Sequence, residues 1–204
     1  MKKVSQKKVT PIRNKPSRKQ AEEAVKTLIK WAGDNPEREG LLETPKRVVN
    51  SYKEFFSGYD SKPEQILSKT FDEVEGYDEM VIVRNITIES HCEHHMVPFI
   101  GIAHIGYIPN KRIVGISKLA RIADVFAKRL QTQEIMTAQI ADTINEVLKP
   151  KGVAVVIDAQ HQCMTTRGTH KTESSTITSR MVGLFRTNSN TRSEFMTLIN
   201  SANS

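Results

Sequence analysis

The chain is short of the residues that staple or anchor a protein. Two cysteines among 204 residues do not make a disulfide framework, and they suit a reducing, cytosolic setting. No long apolar run is present. The longest uninterrupted aliphatic stretch, Val153 to Ile157, falls far short of the ~20 residues a membrane span needs. No apolar stretch lies near the N-terminus, so no secretory signal is read there. Acid is missing from residues 1–20, which hold Lys2, Lys3, Lys7, Lys8, Arg13, Lys15, Arg18 and Lys19. The chain carries 30 basic and 23 acidic residues, so the remainder is close to neutral. The basic excess belongs to a tail, residues 1–19, expected to be solvated by repulsion between its own charges. A near-neutral body argues against a nucleic-acid-binding module, because grip on a phosphate backbone needs a basic face.

What is present is an ordinary soluble balance: 38% hydrophobic and 26% charged residues. A chain of this size buries about 70% of its unfolded surface and needs no staples. Apolar spacing predicts a first helix from about Gln20 to Ala32, with Ala21, Val25, Leu28, Ile29 and Ala32 near one face. Thr44-Pro45 reads as an N-cap followed by proline at the first helical position. That helix would bury Val48, Tyr52, Phe55 and Phe56 and stop at Gly58. Residues 59–72 read as a polar, loosely structured connection.

From Glu79 the period changes to two. Met80, Ile82, Ile86 and Ile88 alternate with polar neighbours, with Arg84 interrupting, and predict a strand. Phe99 to Ile108 predicts a second strand. Ser117 reads as the N-cap of a helix burying Leu119, Ile122, Ala123, Phe126 and Leu130. Another helix is expected from Gln133 to Leu148, then strands at Val153–Ala159 and Ser174–Ser179, and a short helix at Asn190–Asn200. The order ααββααββα predicts an α+β fold with a mostly antiparallel sheet and packed helices. An N-terminal helical segment, 20–72, would precede a catalytic domain, 73–204.

Both cysteines sit among histidines, in His91-Cys92-Glu93-His94-His95 and His161-Gln162-Cys163. A thiolate and an imidazole from one turn suit zinc, and Cys163 would close a Cys2His set. Three protein ligands leave a coordination position for water, as in a catalytic site. A closed structural zinc would recruit His91, His94 or His161 as a fourth ligand. Two inert cysteines with surface histidines, or a Cys92–Cys163 disulfide, are the bland readings. Histidines not taken by the metal, His94 and His161, are candidates for proton transfer or for orienting the site.

Two further groups gain weight only in company. Ser117-Lys118 with Arg121 opens a helix and offers a hydroxyl, backbone N–H groups and two cations to an anion. Glu134, beside Gln133, can accept two N–H groups from a guanine edge.

Taken together, these stretches closely resemble GTP cyclohydrolase I. The resemblance rests on Glu43-Thr-Pro-Lys-Arg47, Cys92-Glu-His-His95, Gly115-Ile-Ser-Lys118, Gln133-Glu134, and His161-x-Cys163 followed by Arg167-Gly168. It runs from about residue 20 to the C-terminus in conserved order and spacing. Thr169 stands where an aliphatic residue is expected, at the edge of the site.

The resemblance implies a tunnelling fold, in which subunits pool their sheets into a barrel. It implies a homo-oligomer, commonly a decamer, with sites at subunit interfaces. It implies Zn2+ held by Cys92, His95 and Cys163. The reaction would convert GTP and water into 7,8-dihydroneopterin triphosphate and formate, the entry to tetrahydrofolate or pterin synthesis. His94 would move a proton at the purine N7, and His161 would support the attacking water. Glu134 with Gln133 would grip guanine. Ser117, Lys118, Arg121, Arg167 and Arg47 would hold the triphosphate. The competing reading is a zinc-stabilised nucleotide-binding protein that binds GTP without consuming it. The main function involves neither a membrane nor nucleic acid.

Overall fold

The computed structural model describes residues 14–68, 70–71 and 77–201. The basic run at 1–13 lies outside them. The chain divides into two compact units, the first ending at Ser57 and the second beginning at Gly58.

The first unit is a helix pair, α1 (Arg18–Trp31) and α2 (Thr44–Phe55). Helix α1 begins two residues before its expected start because Ser17 and Gln20 form a reciprocal capping box. The Ser17 hydroxyl accepts from the Gln20 N–H, and the Gln20 side-chain oxygen Oε1 accepts from the Ser17 N–H at 2.8 Å. Helix α2 has Glu43 at its N-cap and Thr44 inside the helix, with proline in the first turn. The expected burial of Tyr52 does not occur in the single chain, where it is exposed, as are Leu28 and Trp31, the latter at 89%.

The second unit is built on five strands in the order β5-β2-β3-β6-β7: β2 (Val81–Cys92), β3 (Pro98–Ile108), β5 (Leu130–Gln131), β6 (Gly152–His161) and β7 (Thr176–Gly183). The four long strands pair antiparallel, while β5 pairs parallel to the end of β2. A separate two-stranded ladder joins β1 (Thr70–Phe71) to β4 (Ile113–Val114). The segment expected to be loose holds the short helix α3 (Pro63–Leu67), with Pro63 and Leu67 buried. The interruption foreseen at Arg84 is a β-bulge. Register shifts between Val83 and Ile86, and Asn85 takes φ 56°. The Arg84 guanidinium is thereby aimed at the last carbonyls of a C-terminal helix, α8 (Ser189–Asn200), donating to Leu198 O at 2.8 Å and Ser201 O at 3.1 Å.

Helices α4 (Ser117–Ala127) and α5 (Gln133–Leu148) contribute to the main core with one face of the sheet. Most of the expected stripes are buried: Leu119, Ile122, Ala123 and Phe126 from α4; Met136, Ile140, Ile144 and Leu148 from α5. Leu130, expected on the α4 face, lies instead in β5 and is half-buried, because α4 ends at Ala127. Each fully buried side chain of this kind contributes about 1.5–3 kcal/mol. Ser117 is the first helical residue rather than the cap, which is Ile116 without a side-chain hydrogen bond. Thr132 caps α5 by accepting from the Ile135 N–H. Short helices α6 (Gln162–Thr165) and α7 (Leu184–Thr187) had no periodic signal, being about one turn each. The opposite sheet face is covered at one end by α7 and α8, through Phe185, Phe195 and Ile199 against Ile108, Ala154 and Val156. Farther along that face Ile100, Ile102 and Ile177 are exposed. No helix of the described residues is long and apolar enough to cross a membrane. This α+β unit, a mostly antiparallel sheet with two long helices on one face, has the architecture expected of a tunnelling fold.

Gly101 sits where β3 and β6 approach closely. A Cβ there would run into the Asp158 carbonyl oxygen and stand 2.5 Å from the Ala159 Cα. Gly101→Ala is expected to destabilise the protein by about 1–3 kcal/mol through forced backbone displacement. Denaturant unfolding checks this, and an unchanged midpoint contradicts it.

Candidate metal centre

The centre is assembled by register. Phe99 on β3 lies opposite Ser90 on β2 and His161 on β6. Two residues past that row on either side come Cys92 and Cys163. Cys92 ends β2, and a tight turn carries the chain into β3. Its N–H donates to Val97 O at 2.9 Å, its carbonyl accepts from Met96 N at 2.8 Å, and Met96 takes φ 55°. The turn presents His94 and His95 at the surface. Cys163 sits in α6, directly after β6.

The ligand atoms of Cys92, His95 and Cys163 lie within 4.8 Å of one another. Both cysteines are free thiols. His94 Nδ1 lies 3.7 Å from the Cys92 sulfur, and His161 Nδ1 lies 3.8 Å from the Cys163 sulfur. Burial, then the nearby Cys92 sulfur, pushes the Cys163 thiol up from its ordinary value, while Arg167 pulls it down. Two sulfurs crowded beside an imidazole are a donor set that a borderline-soft cation satisfies, so the residues fit zinc.

The surrounding groups are polar and directed. The His161 ring stacks on Phe99, centroids 4.6 Å apart and planes 7° from parallel. Burial pulls His161 below its ordinary pKa, and the Glu134 carboxylate acts in the opposite sense. Glu134 itself is exposed in the first turn of α5. Arg167 Nη1 approaches His95 Nε2 at 3.2 Å. Gly168 follows at φ 70°, a backbone conformation that favours glycine.

Not every sequence candidate is gathered here. Ser117, Lys118 and Arg121 open α4, while the other end of that helix leads to β5 beside Cys92. At 1.5 Å per residue the two ends stand roughly 15 Å apart. Arg47 belongs to the first unit. Gln133 does not present its carboxamide at the surface. It is 1% exposed and hydrogen-bonded to β6 and β7. Sequence reading missed Phe99 and Thr178 as parts of the surroundings, since neither carries a motif.

A family model described as GTP cyclohydrolase I matches residues 21–200. The chain belongs to the GTP cyclohydrolase I family. It is 58% identical to GTP cyclohydrolase 1 of Maricaulis maris over 191 residues, covering 94% of this chain and 93% of that one. Its identity to GTP cyclohydrolase 1 of Brucella suis is 57% over 196 residues, 96% of this chain and 92% of the relative. A solved structure, the archaeosine synthase QueF-Like in the apo form, aligns at TM-score 0.41 and 13% identity, covering 51% of this chain and 93% of that one.

For this GTP cyclohydrolase I family member, Cys92→Ser and Cys163→Ser are each expected to abolish retention of one zinc ion per chain. Metal analysis after dialysis checks it; full zinc in either variant contradicts the ligand set.

Proposed function

We propose that the chain hydrolyses and rearranges GTP to 7,8-dihydroneopterin triphosphate and formate, with Zn2+ as cofactor, at the start of tetrahydrofolate or pterin synthesis in the cytoplasm. The convergence of Cys92, His95 and Cys163 in a member of this family is the observation that carries the reading. These three residues would hold the ion. Bound there, zinc supplies a Lewis acid and a water whose pKa falls to ~7.

The remaining work falls to the chain's own groups. Hydrolysis at C8 of the guanine opens the imidazole ring to a formamide, and a second hydrolysis frees formate. The ribose then rearranges to an open-chain ketone and closes the pterin ring with loss of water. His94, exposed on the turn, gives a proton to the purine N7 as the C8–N bond weakens. His161 takes and returns protons on the water side. Glu134 accepts two N–H groups of the guanine edge, and an adenine presents no such pair, which rejects ATP. Lys118, Arg121, Arg167 and Arg47 neutralise the triphosphate, and the Ser117 hydroxyl donates a hydrogen bond to it.

The roughly 15 Å between the ends of α4 supports a site completed by a second copy of the chain. So does the exposed apolar row Ile100, Ile102 and Ile177, on a sheet face that barrel assembly would cover. A homo-oligomer, a decamer by family resemblance, is the assembly proposed.

Zinc-loaded protein incubated with GTP should yield formate and pterin in equal amounts, and a chelator should abolish both. GTP bound but unchanged would contradict the reading in favour of a binding protein. His94→Ala should keep its zinc and lose ring opening by about 10²–10⁴-fold, the usual worth of a general acid.

A further inference from the structure

Gln133 and Glu134 are neighbours in sequence and suggest one shared task. On a helix, neighbouring side chains project about 100° apart. Glu134 is exposed; Gln133 points into the protein. The buried carboxamide has a determinable orientation. Its Nε2 lies 3.1 Å from Ile157 O, 2.8 Å from Thr176 O and 3.0 Å from Thr178 Oγ1. Two of these are backbone carbonyls, which only accept. A reversed amide would set its oxygen against both.

The third contact agrees. Thr137 Oγ1 donates its one proton to Gln133 O at 2.7 Å. The Thr178 hydroxyl, 2.7 Å from Thr137 Oγ1, must then donate to it. Thr178 has no proton left for Gln133 and can only accept from Nε2. The two Nε2 protons are shared among these three acceptors, and the side-chain oxygen, Gln133 Oε1, faces His161 Nε2 at 2.7 Å.

An amide oxygen accepts and cannot donate, so His161 Nε2 carries the hydrogen. In the neutral ring Nδ1 then holds the lone pair. That nitrogen lies 3.8 Å from the Cys163 sulfur, beside the metal trio. Stacking on Phe99 fixes the ring plane, and the Gln133 bond fixes rotation within it.

We propose that Gln133 is a positioning residue that sets the tautomer and aim of His161, and that it does not read the guanine edge. Gln133 is thus the inner support of the proton-transfer group, and guanine recognition on this turn falls to Glu134 alone. This deepens the proposed function and rests on it for the role of His161; the orientation of the ring does not depend on that reading.

The test uses the full-length, zinc-loaded protein. Gln133→Met keeps the length of the side chain and removes its acceptor. It is expected to lower kcat about 10–100-fold, the usual cost of losing an orienting partner. KM for GTP should stay within about twofold and zinc at one per chain. In a His161→Ala background the same substitution should change the residual kcat and GTP affinity by less than about twofold, because residues acting through one another are not additive. A tenfold rise in KM with kcat intact would overturn the proposal, as would losses that multiply in the double variant. Should Gln133→Met fail to fold, the wild-type protein still answers. With 15N-labelled histidine, His161, identified by its absence in His161→Ala, should show protonated Nε2 and bare Nδ1. The opposite tautomer would overturn the assignment. Wild-type protein that shows the expected tautomer but never consumes GTP would defeat the proposed function and leave the positioning intact.

Discussion

The antiparallel register of β2, β3 and β6 is the constraint on which the candidate site depends. Ser90, Phe99 and His161 form one cross-strand row. Two residues on from that row come Cys92, at the end of β2, and Cys163, in the helix directly after β6, some seventy residues apart in the chain. A slip of one residue would turn a strand's side chains to the opposite face of the sheet. The cysteine from β2 would then lose its partner beyond β6. The ladder is held by the packing of α4 and α5 beneath it, so core burial and ligand placement are one problem rather than two.

The same sheet explains the division of labour around the centre. Strand β6 delivers His161 and leads into the helix that carries Cys163, and β7 supplies the acceptors that orient Gln133. The outer turn between β2 and β3 leaves His94 and His95 at the surface. One side of the centre is therefore built and fixed, and the other is open for a nucleotide. The basic start of α4 lies at the opposite end of its helix from β5, the strand beside Cys92.

Much of this was legible in the residues. Long elements announce themselves by period, and the stripes of α4 and α5 matched the buried sets except at Leu130, which falls past the end of α4 in β5. Cys-x2-His and His-x-Cys carried the metal reading because short spacings bring ligands together almost regardless of fold. Elements of about one turn, such as α6 and α7, escaped because they are shorter than any helical period can reveal. Tyr52 was misjudged because an apolar stripe says that a face is hydrophobic, not that the single chain covers it. Gln133 was the instructive case. Its partners Ile157, Thr176 and Thr178 lie 24, 43 and 45 residues away, so nothing local distinguished it from Glu134. Arg84 lies between these extremes: the break in alternation was visible, but its cause, a bulge that aims a guanidinium at α8, was not.

The central claim is that Cys92, His95 and Cys163 make an open three-ligand metal centre suited to hydrolysis. X-ray absorption at the zinc edge of the loaded protein tests it most directly. The account predicts two sulfurs at about 2.3 Å, one imidazole nitrogen at about 2.0–2.1 Å and one light atom from exchangeable solvent. A closed shell of four protein donors, with a second imidazole in place of the solvent atom, would contradict it and make the zinc structural.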